Sequence, residues 1–173
     1  MRIVAAPHPA SLPDDVLLTQ CTITFGRSSG PGGQHRNKVE TAVRIAHEPT
    51  GITAGATERR SQYQNRSEAI RRLRLTLARD VRTRVDRERH EPSDLWKARR
   101  QGRTMSINPK HRDYPGLLAE ALDVVHARKF DVAGAAGILG ITMSQLAKLI
   151  RHDKQAFARI NEGRIEMGMP PLR

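Results

Sequence analysis

The feature that most restricts the fold is a run of eight residues, 26–33, that holds four glycines and one proline. Neither a helix nor a strand tolerates this composition, so the run is predicted to be a loop. The residues before it, 19–25, alternate in polarity, with Cys21, Ile23 and Phe25 on one face. Such alternation predicts a half-buried strand that ends where the loop begins.

Two further segments, 42–47 and 52–57, also alternate and predict another pair of strands. Between them, proline and glycine at the second and fourth positions of residues 48–51 suit a type I turn, which makes the pair a hairpin. A long helix is predicted next, because Asn65 and Glu68 match a capping box and apolar residues then recur at helical spacing. Those residues are Ile70, Leu73, Leu77, Val81 and Val85. We therefore predict an α+β domain, a small antiparallel sheet packed on one long basic helix.

The chain carries a formal net charge of +12, concentrated in its central quarter. Residues 1–58 are neutral overall, residues 59–103 carry +9 and residues 104–173 carry +3. This charge predicts a polyanionic partner, usually nucleic acid. The alternative is a solvated helix face, although such a face normally mixes the two signs more evenly. A single cysteine excludes an internal disulfide, and no run approaches the roughly 18 apolar residues of a membrane span, so we expect a cytoplasmic protein without a membrane partner.

The last part of the chain, residues 116–173, has the composition of a small all-α module. Asp131 is placed to cap one short helix, and Thr142 with Gln145 forms a capping box for the next. The two helices are separated by a turn at Gly140, which is the pattern of a helix-turn-helix.

Helix-breaking residues separate the two regions, namely Pro92, Gly102, Pro109 and Pro115. We therefore predict three parts: the α+β domain at residues 11–90, a basic linker at residues 91–115 and the helical module at residues 116–173.

Conventional catalytic sets are hard to find in this sequence. The seven histidines show no metal-ligand spacing and one cysteine cannot build a zinc site, so we expect neither a metal nor a small cofactor. Cys21 lies on the apolar face of a predicted strand, which favours a core position over a nucleophile. The exception is the tripeptide Gly32-Gly33-Gln34 in the glycine-rich loop.

The residues around this tripeptide closely resemble the signature segment of class I peptide chain release factors. The resemblance is strongest over residues 27–45, continues through residues 47–52 and 58–66, and covers about residues 11–90. It implies ribosome-dependent hydrolysis of the ester bond that joins a peptide to tRNA, with the tripeptide as the catalytic residues. The chain is therefore expected to be a peptidyl-tRNA hydrolase of protein biosynthesis, active in translation termination or ribosome rescue.

The resemblance also assigns roles within the tripeptide. Glutamine has no titratable group near neutral pH, so Gln34 cannot be an ordinary general base. The family assigns the Gln34 backbone N–H to the developing oxyanion and its side chain to the placement of water. Gly32 and Gly33 lack Cβ atoms, which lets the backbone approach the end of the tRNA. Family members are methylated on this side-chain nitrogen, so Gln34 is a candidate N5-methylglutamine, with a glutamine methyltransferase as a further partner.

Basic and polar residues near the tripeptide and at the start of the long helix can hold phosphates of large-subunit rRNA at the peptidyl transferase centre or of peptidyl-tRNA. The C-terminal module resembles the helix-turn-helix of bacterial DNA-binding proteins of the Fis type through residues 135–146. Its second helix would present Ser144, Gln145, Lys148 and Arg151, although a compact helical bundle that docks on the first domain or on another protein is the alternative. The predicted RNA-binding residues are Arg27, Arg36, Lys38, Arg59, Arg60, Gln62, Arg66, Lys148 and Arg151.

The sequence also departs from the full-length stop-codon readers, which place a larger codon-recognition domain around this segment. The resemblance begins near residue 11, and no tripeptide resembles a codon-reading loop. The chain is therefore most similar to the short, codon-independent ribosome-rescue hydrolases, and we expect release from stalled ribosomes without stop-codon reading. Two alternatives stay open: a hydrolase recruited by a separate codon-reading partner, and a non-enzymatic nucleic-acid-binding regulator that acts through the C-terminal module.

Overall fold

A computed structural model describes residues 2–27 and 40–173, and the chain divides into two compact units. Leu12–Leu77 form one unit, here called the sheet unit. The residues through Ser11 and Ala78–Arg173 form the other, here called the helical unit. The division thus falls inside the long helix, whereas the sequence predicted it in a linker at residues 91–115.

The secondary structure elements are as follows. The strands are β1 (Arg2–Val4), β2 (Cys21–Gly26), β3 (Ala42–His47), β4 (Ile52–Ala56), β5 (Val81–Thr83), β6 (Arg100–Gln101) and β7 (Thr104–Met105). The helices are α1 (Asp14–Thr19), α2 (Gln62–Asp80), α3 (Asp94–Arg99), α4 (Tyr114–Ala127), α5 (Val132–Ile138), α6 (Met143–Arg151) and α7 (Lys154–Glu166).

The sheet unit contains an antiparallel sheet in the order β2–β3–β4. The predicted hairpin is confirmed, since His47 lies opposite Ile52 at the β3–β4 turn and Gly51 takes a positive φ of 63° there. Apolar residues of the sheet, of α1 and of α2 are buried, and in the sheet and α2 they follow the alternating and helical spacings. The buried residues are Leu17, Val43, Ile45, Ala56, Ala69, Leu73 and Leu77. The predicted α+β class, a small antiparallel sheet with one long basic helix, is confirmed.

Two local predictions in the sheet unit are wrong. Phe25 was assigned to the buried face of β2, but its side chain is 48% exposed. Asn65 was assigned to a capping box, but α2 begins three residues earlier, at Gln62. The side chain of Asn65 instead bonds to the backbone of Arg59 in the preceding loop and to the Thr41 carbonyl oxygen, just before β3, at 2.6 Å. That longer-range bonding replaces the local cap.

The C-terminal end of α2 also differs from the prediction, because the apolar spacing extended the helix to Val85 and it ends at Asp80. Residues 81–83 form β5 instead and pair in parallel with β1. Extended backbone suits the β-branched side chains here. In addition, the His8 ring donates from Nε2 to the Val81 carbonyl oxygen at 3.1 Å. The partner strand lies almost eighty residues earlier, beyond the range of any helical pattern.

In the helical unit the predicted caps and short helices are confirmed. The Asp131 side chain accepts a bond from Gly134 N at 3.0 Å and begins α5. The Thr142 side chain accepts from Gln145 N at 3.2 Å and begins α6. Gly140 has a φ of 69° between them, and the helix axes bend by 103°, the geometry of a helix-turn-helix.

The segment predicted as a basic linker, residues 91–115, contains α3 and the β6–β7 hairpin. Trp96 in α3 is fully buried, and its indole N–H donates to the Leu139 carbonyl oxygen at 2.9 Å. The segment therefore packs within the helical unit. Together with the parallel β1–β5 pair, it gives the helical unit β-structure outside residues 116–173, whose regular elements are all helices, as predicted.

Within residues 2–27 and 40–173, no single helix is long and apolar enough to cross a membrane. The helices α5 and α6 reach the required length and hydrophobicity only when they are counted together, and they meet at a bend of 103°.

Candidate catalytic segment and RNA-binding residues

The predicted catalytic tripeptide lies in residues 28–39, outside the described part of the chain, as do Arg36 and Lys38. The described residues on either side fix where this segment begins and ends. Gly26 lies opposite Ala42 in the β2–β3 pairing, so both flanks leave the sheet at the same end. Arg27, the last described residue before the segment, is exposed there.

Two side chains of the first turn of α2 hold the C-terminal flank of this segment. The Gln62 side-chain amide donates to the Glu40 carbonyl oxygen at 2.9 Å, and Asn65 donates to the Thr41 carbonyl oxygen. Asn65 is fully buried, and it also exchanges two 2.9 Å bonds with the backbone of Arg59. The side-chain amide of Asn65 therefore links Thr41, just before β3, to Arg59, just before α2.

Three of the predicted RNA-binding arginines, Arg59, Arg60 and Arg66, lie close in sequence to that anchor. Arg59 and Arg60 are exposed in the connection from β4 to α2, and Arg66 is half-buried one turn into the helix. Among the described residues, no carboxylate lies within 4 Å of these three guanidinium groups. The N-terminus of α2 adds a partial positive charge beside them. Gln62 was predicted to bind RNA, but in the structure its amide bonds to the chain itself.

Other arginines of α2 are neutralised internally. Arg71 and Arg72 both pair with Glu68, at 2.7 and 3.0 Å, and Arg72 also pairs with Glu58 at 2.8 Å. The hydrogen bond from Arg71 lowers the pKa of Glu68, which keeps its charge present. Arg74 pairs with Asp14 at 2.5 Å. The helix therefore has fewer charges for a polyanion than its composition suggests, and those without an acidic partner lie at its start.

Sequence reasoning missed one residue of this surface. Tyr63 follows Gln62 in α2 and is 77% exposed, an unusual position for an aromatic ring. It lies between basic residues, and an exposed ring in such a setting can stack on an unpaired base. The signal was present in the sequence as a lone tyrosine within a polar and basic run.

The C-terminal candidates lie on α6 in the helical unit. Ser144, Lys148 and Arg151 are exposed, as the helix-turn-helix pattern predicts. Gln145, predicted to be presented as well, instead accepts a bond from Met105 N at 3.4 Å through its side-chain oxygen. The Arg151 guanidinium lies 4.9 Å from the centre of the Phe157 ring, which restricts its motion.

Nucleophilic and metal chemistry find little support in the described residues. The Cys21 thiol donates to the Leu17 carbonyl oxygen at 3.2 Å, and burial raises its pKa, so a thiolate is disfavoured. Within the described ranges, no three His, Cys, Asp or Glu side chains are grouped so that they could hold a metal ion.

Comparison with known proteins identifies the family. A family model described as RF-1 domain matches residues 15–115, more than half of the chain. The chain therefore belongs to the RF-1 domain family, that of class I peptide chain release factors, and the predicted resemblance is confirmed. The match extends beyond the sheet unit and includes α3 and the β6–β7 hairpin.

Several relatives named peptide chain release factor 1 align with this region. That of Chlorobaculum tepidum is 50% identical over 92 residues, which cover 50% of this chain and 26% of the relative. That of Acidiphilium cryptum is 41% identical over 82 residues, 47% of this chain and 23% of the relative. That of Streptomyces avermitilis is 34% identical over 112 residues, 65% of this chain and 30% of the relative. The chain thus spans less than a third of the length of each.

Proposed function

We propose that this protein hydrolyses the ester bond of peptidyl-tRNA on the ribosome and so releases the nascent peptide. The observation that carries the proposal is family membership combined with the anchored flank: Glu40 and Thr41, which follow the segment with Gly32-Gly33-Gln34, are tied to α2 by Gln62 and Asn65. A short segment held at its base by a rigid helix is suited to placing one amide against a substrate.

The chemistry assigned to Gln34 is positioning and charge stabilisation. Water is the nucleophile, the ester C–O bond to the tRNA breaks, and the ribose hydroxyl leaves with the proton that water supplies. Orientation alone contributes roughly 7–11 kcal/mol in favourable systems. A backbone N–H directed at the oxyanion contributes about 3 kcal/mol more. Both effects are assigned to the amide groups of the protein itself, so the proposal includes no metal and no small cofactor.

The partners proposed are peptidyl-tRNA and large-subunit rRNA at the peptidyl transferase centre, in the cytoplasm. Phosphate contacts are assigned to the cationic residues that flank the segment and start α2, since salt-dependent phosphate contacts dominate such binding. Gln34 is also proposed as a methylation site of a glutamine methyltransferase. The proposed contacts near the segment are Arg27, Arg36, Lys38, Arg59, Arg60 and Arg66.

We further propose that release occurs on stalled ribosomes without stop-codon reading. The support is the additional folded region after the family match, α4–α7 with its helix-turn-helix, which offers a second attachment that depends on no codon. Ribosomes carrying peptidyl-tRNA on truncated mRNA test this directly. Release only on stop-programmed ribosomes, or only with an added protein, would favour recruitment by a codon-reading partner.

The substitution Gln34→Ala tests the chemistry. We expect a loss of roughly hundredfold or more in the single-turnover release rate, with ribosome binding retained, because only the water-placing amide is removed. Gln64→Ala, an exposed glutamine in α2, is the matched control and should keep full release. Full release by Gln34→Ala would remove the hydrolase proposal and leave the non-enzymatic regulator.

A further inference from the structure

The β6–β7 hairpin forms a small exposed projection of the helical unit. Arg100 pairs with Met105 and Gln101 with Thr104, which leaves Gly102 and Arg103 as a two-residue turn. Gly102 has a φ of 56°, a value that favours glycine at the first turn position. All side chains of the hairpin except that of Met105 are exposed, so its turn presents Arg100 and Arg103 to solvent.

Three bonds hold this hairpin beside the helix-turn-helix. The Arg103 carbonyl oxygen accepts from Thr142 N at 3.2 Å, next to the start of α6. Arg100 donates to the Gly140 carbonyl oxygen at 3.2 Å, in the turn between the two helices. Gln145 on α6 accepts from Met105 N. The hairpin therefore has a fixed position next to the N-terminus of α6.

Beyond the hairpin the chain continues along α6. Residues 105–109, together with Lys148 and Leu149 of α6 and His152 just after it, line a cleft of about 430 Å³. The exposed stripe of Ser144, Lys148 and Arg151 runs along the same helix, while Leu146, Leu149 and Ile150 are buried and fix its orientation. Hairpin, cleft edge and helix thus form one continuous surface, here called the hairpin–α6 surface.

This surface is strongly basic. Residues 100–112 and 140–152 contain no aspartate or glutamate. The carboxylates that follow them are engaged, since Asp113 pairs with Arg99 at 2.5 Å and Asp153 caps α7 through Ala156 N at 2.9 Å. Its exposed cations are Arg100, Arg103, Lys110, Arg112, Lys148 and Arg151.

We propose that the hairpin–α6 surface binds the phosphodiester backbone of a double-stranded RNA, with α6 facing a groove and the hairpin turn contacting an adjacent strand. Two separated cationic elements with fixed spacing suit the two backbones of a duplex. Neither range contains a Phe, Tyr or Trp, whereas surfaces for single strands rely on such rings for stacking. The inference extends the RNA contact predicted from the sequence for Lys148 and Arg151, and it rests on the proposed function for ribosomal RNA as the natural duplex.

The test uses the full chain and a fluorescent RNA hairpin of about 16 base pairs, the length that duplex-RNA domains span. The variant Arg103→Glu/Lys148→Glu removes one cation from each element. The control Arg84→Glu/Lys154→Glu makes the same change in net charge at two other exposed positions of the helical unit. We expect the first to weaken duplex binding by roughly tenfold or more and to flatten the slope of log affinity against log salt by about two. The control should stay within about threefold.

Each other outcome overturns the inference. Equal losses of duplex affinity in both variants would indicate that binding depends on the net charge of the protein and not on the hairpin–α6 surface. Tighter binding to a DNA duplex of the same sequence, or to single-stranded RNA, would overturn the assignment to double-stranded RNA, and no binding to any of the three would leave a protein partner. Arg103→Gln/Lys148→Gln repeats the test if the charge reversal lowers the melting temperature. Because the assay contains no ribosome, Gln34→Ala should bind the duplex normally, which separates this inference from the hydrolase proposal.

Discussion

The side-chain amide of Gln62 donates a 2.9 Å hydrogen bond to the carbonyl oxygen of Glu40, joining the first turn of α2 to the flank of the proposed catalytic segment. Asn65, one turn further along the same helix, bonds to Thr41 in the same way. A helix of 19 residues is a rigid support for the flank at Glu40 and Thr41. Arg59, Arg60 and Arg66, which we propose to bind RNA, lie before or within the first turns of the same helix.

Substitutions of Asn65 and Gln62 are expected to affect the stability of the protein and its release rate to different degrees. Asn65→Ala removes three hydrogen bonds from a fully buried amide and leaves backbone groups of Thr41 and Arg59 unpaired. It should lower the free energy of unfolding by roughly 2–4 kcal/mol in urea titrations. Gln62 is exposed, so Gln62→Ala should cost less than about 1 kcal/mol. Its release rate should nonetheless fall roughly tenfold, because a misplaced catalytic amide loses its orientation.

The exposed neighbour Gln64 provides the control for both substitutions. Gln64→Ala should change neither the urea midpoint nor the release rate. If Gln62→Ala released peptide at the full rate, the bond to Glu40 would have no part in placing the segment.

Gly33→Ala should reduce peptide release almost as much as the loss of Gln34. A methyl group at this position blocks close approach to the tRNA end and penalises positive φ. The melting temperature should change by less than about 2 °C if the effect is on catalysis alone. Release kinetics and calorimetry on the same preparation measure both effects. A much lower melting temperature with release intact would indicate that Gly33 serves a packed structural turn.

Trp96 tests whether residues 91–115 belong to a folded unit. Trp96→Ala should destabilise the protein by roughly 3–5 kcal/mol, because a large fully buried side chain is removed. Trp96→Phe keeps most of the ring volume but leaves the Leu139 carbonyl oxygen without its donor, so its cost should be smaller. Circular dichroism in urea measures both. Wild-type stability in Trp96→Ala would show that the segment is a linker, as its prolines suggested.

The sequence predicted the elements whose determinants are local. The alternation of polar and apolar residues identified β3 and β4. The capping residues Asp131 and Thr142 identified the starts of α5 and α6, because each bonds to the backbone amide three residues later. It failed where the determining partner is distant along the chain. Val81 belongs to a strand because β1 lies beside it, and Trp96 is buried because Leu139 accepts its N–H. β1 and Leu139 both lie far outside the few residues over which a helical or strand pattern can be recognised, so no local pattern reveals these contacts.

Buried histidines are expected to make the helical unit less stable in acid. His8 donates from Nε2 to the Val81 carbonyl oxygen and accepts at Nδ1 from Ala10 N at 3.0 Å, an arrangement that only the neutral ring satisfies. Burial lowers the pKa of His8 to about 4. Burial likewise lowers the pKa of His126 to about 4. Asp123 acts in the opposite direction, because burial raises its pKa to about 6 and its protonated form stabilises the fold below that pH.

The sign of the pH dependence follows from the number of protons that each state binds. Between pH 6.5 and pH 4 the unfolded chain protonates its histidines while folded His8 and His126 stay neutral, so stability falls as the pH falls through this window. The two histidines outweigh the single carboxyl. His8→Gln keeps a donor for Val81 but cannot take up a proton. Its loss of unfolding free energy between pH 7 and pH 4.5, measured by urea titration of Trp96 fluorescence, should therefore be smaller than that of the wild type by roughly 2–3 kcal/mol. Identical pH dependence in the two proteins would mean that His8 is protonated in the folded state at pH 4.5, and that its bond from Ala10 does not hold the ring neutral.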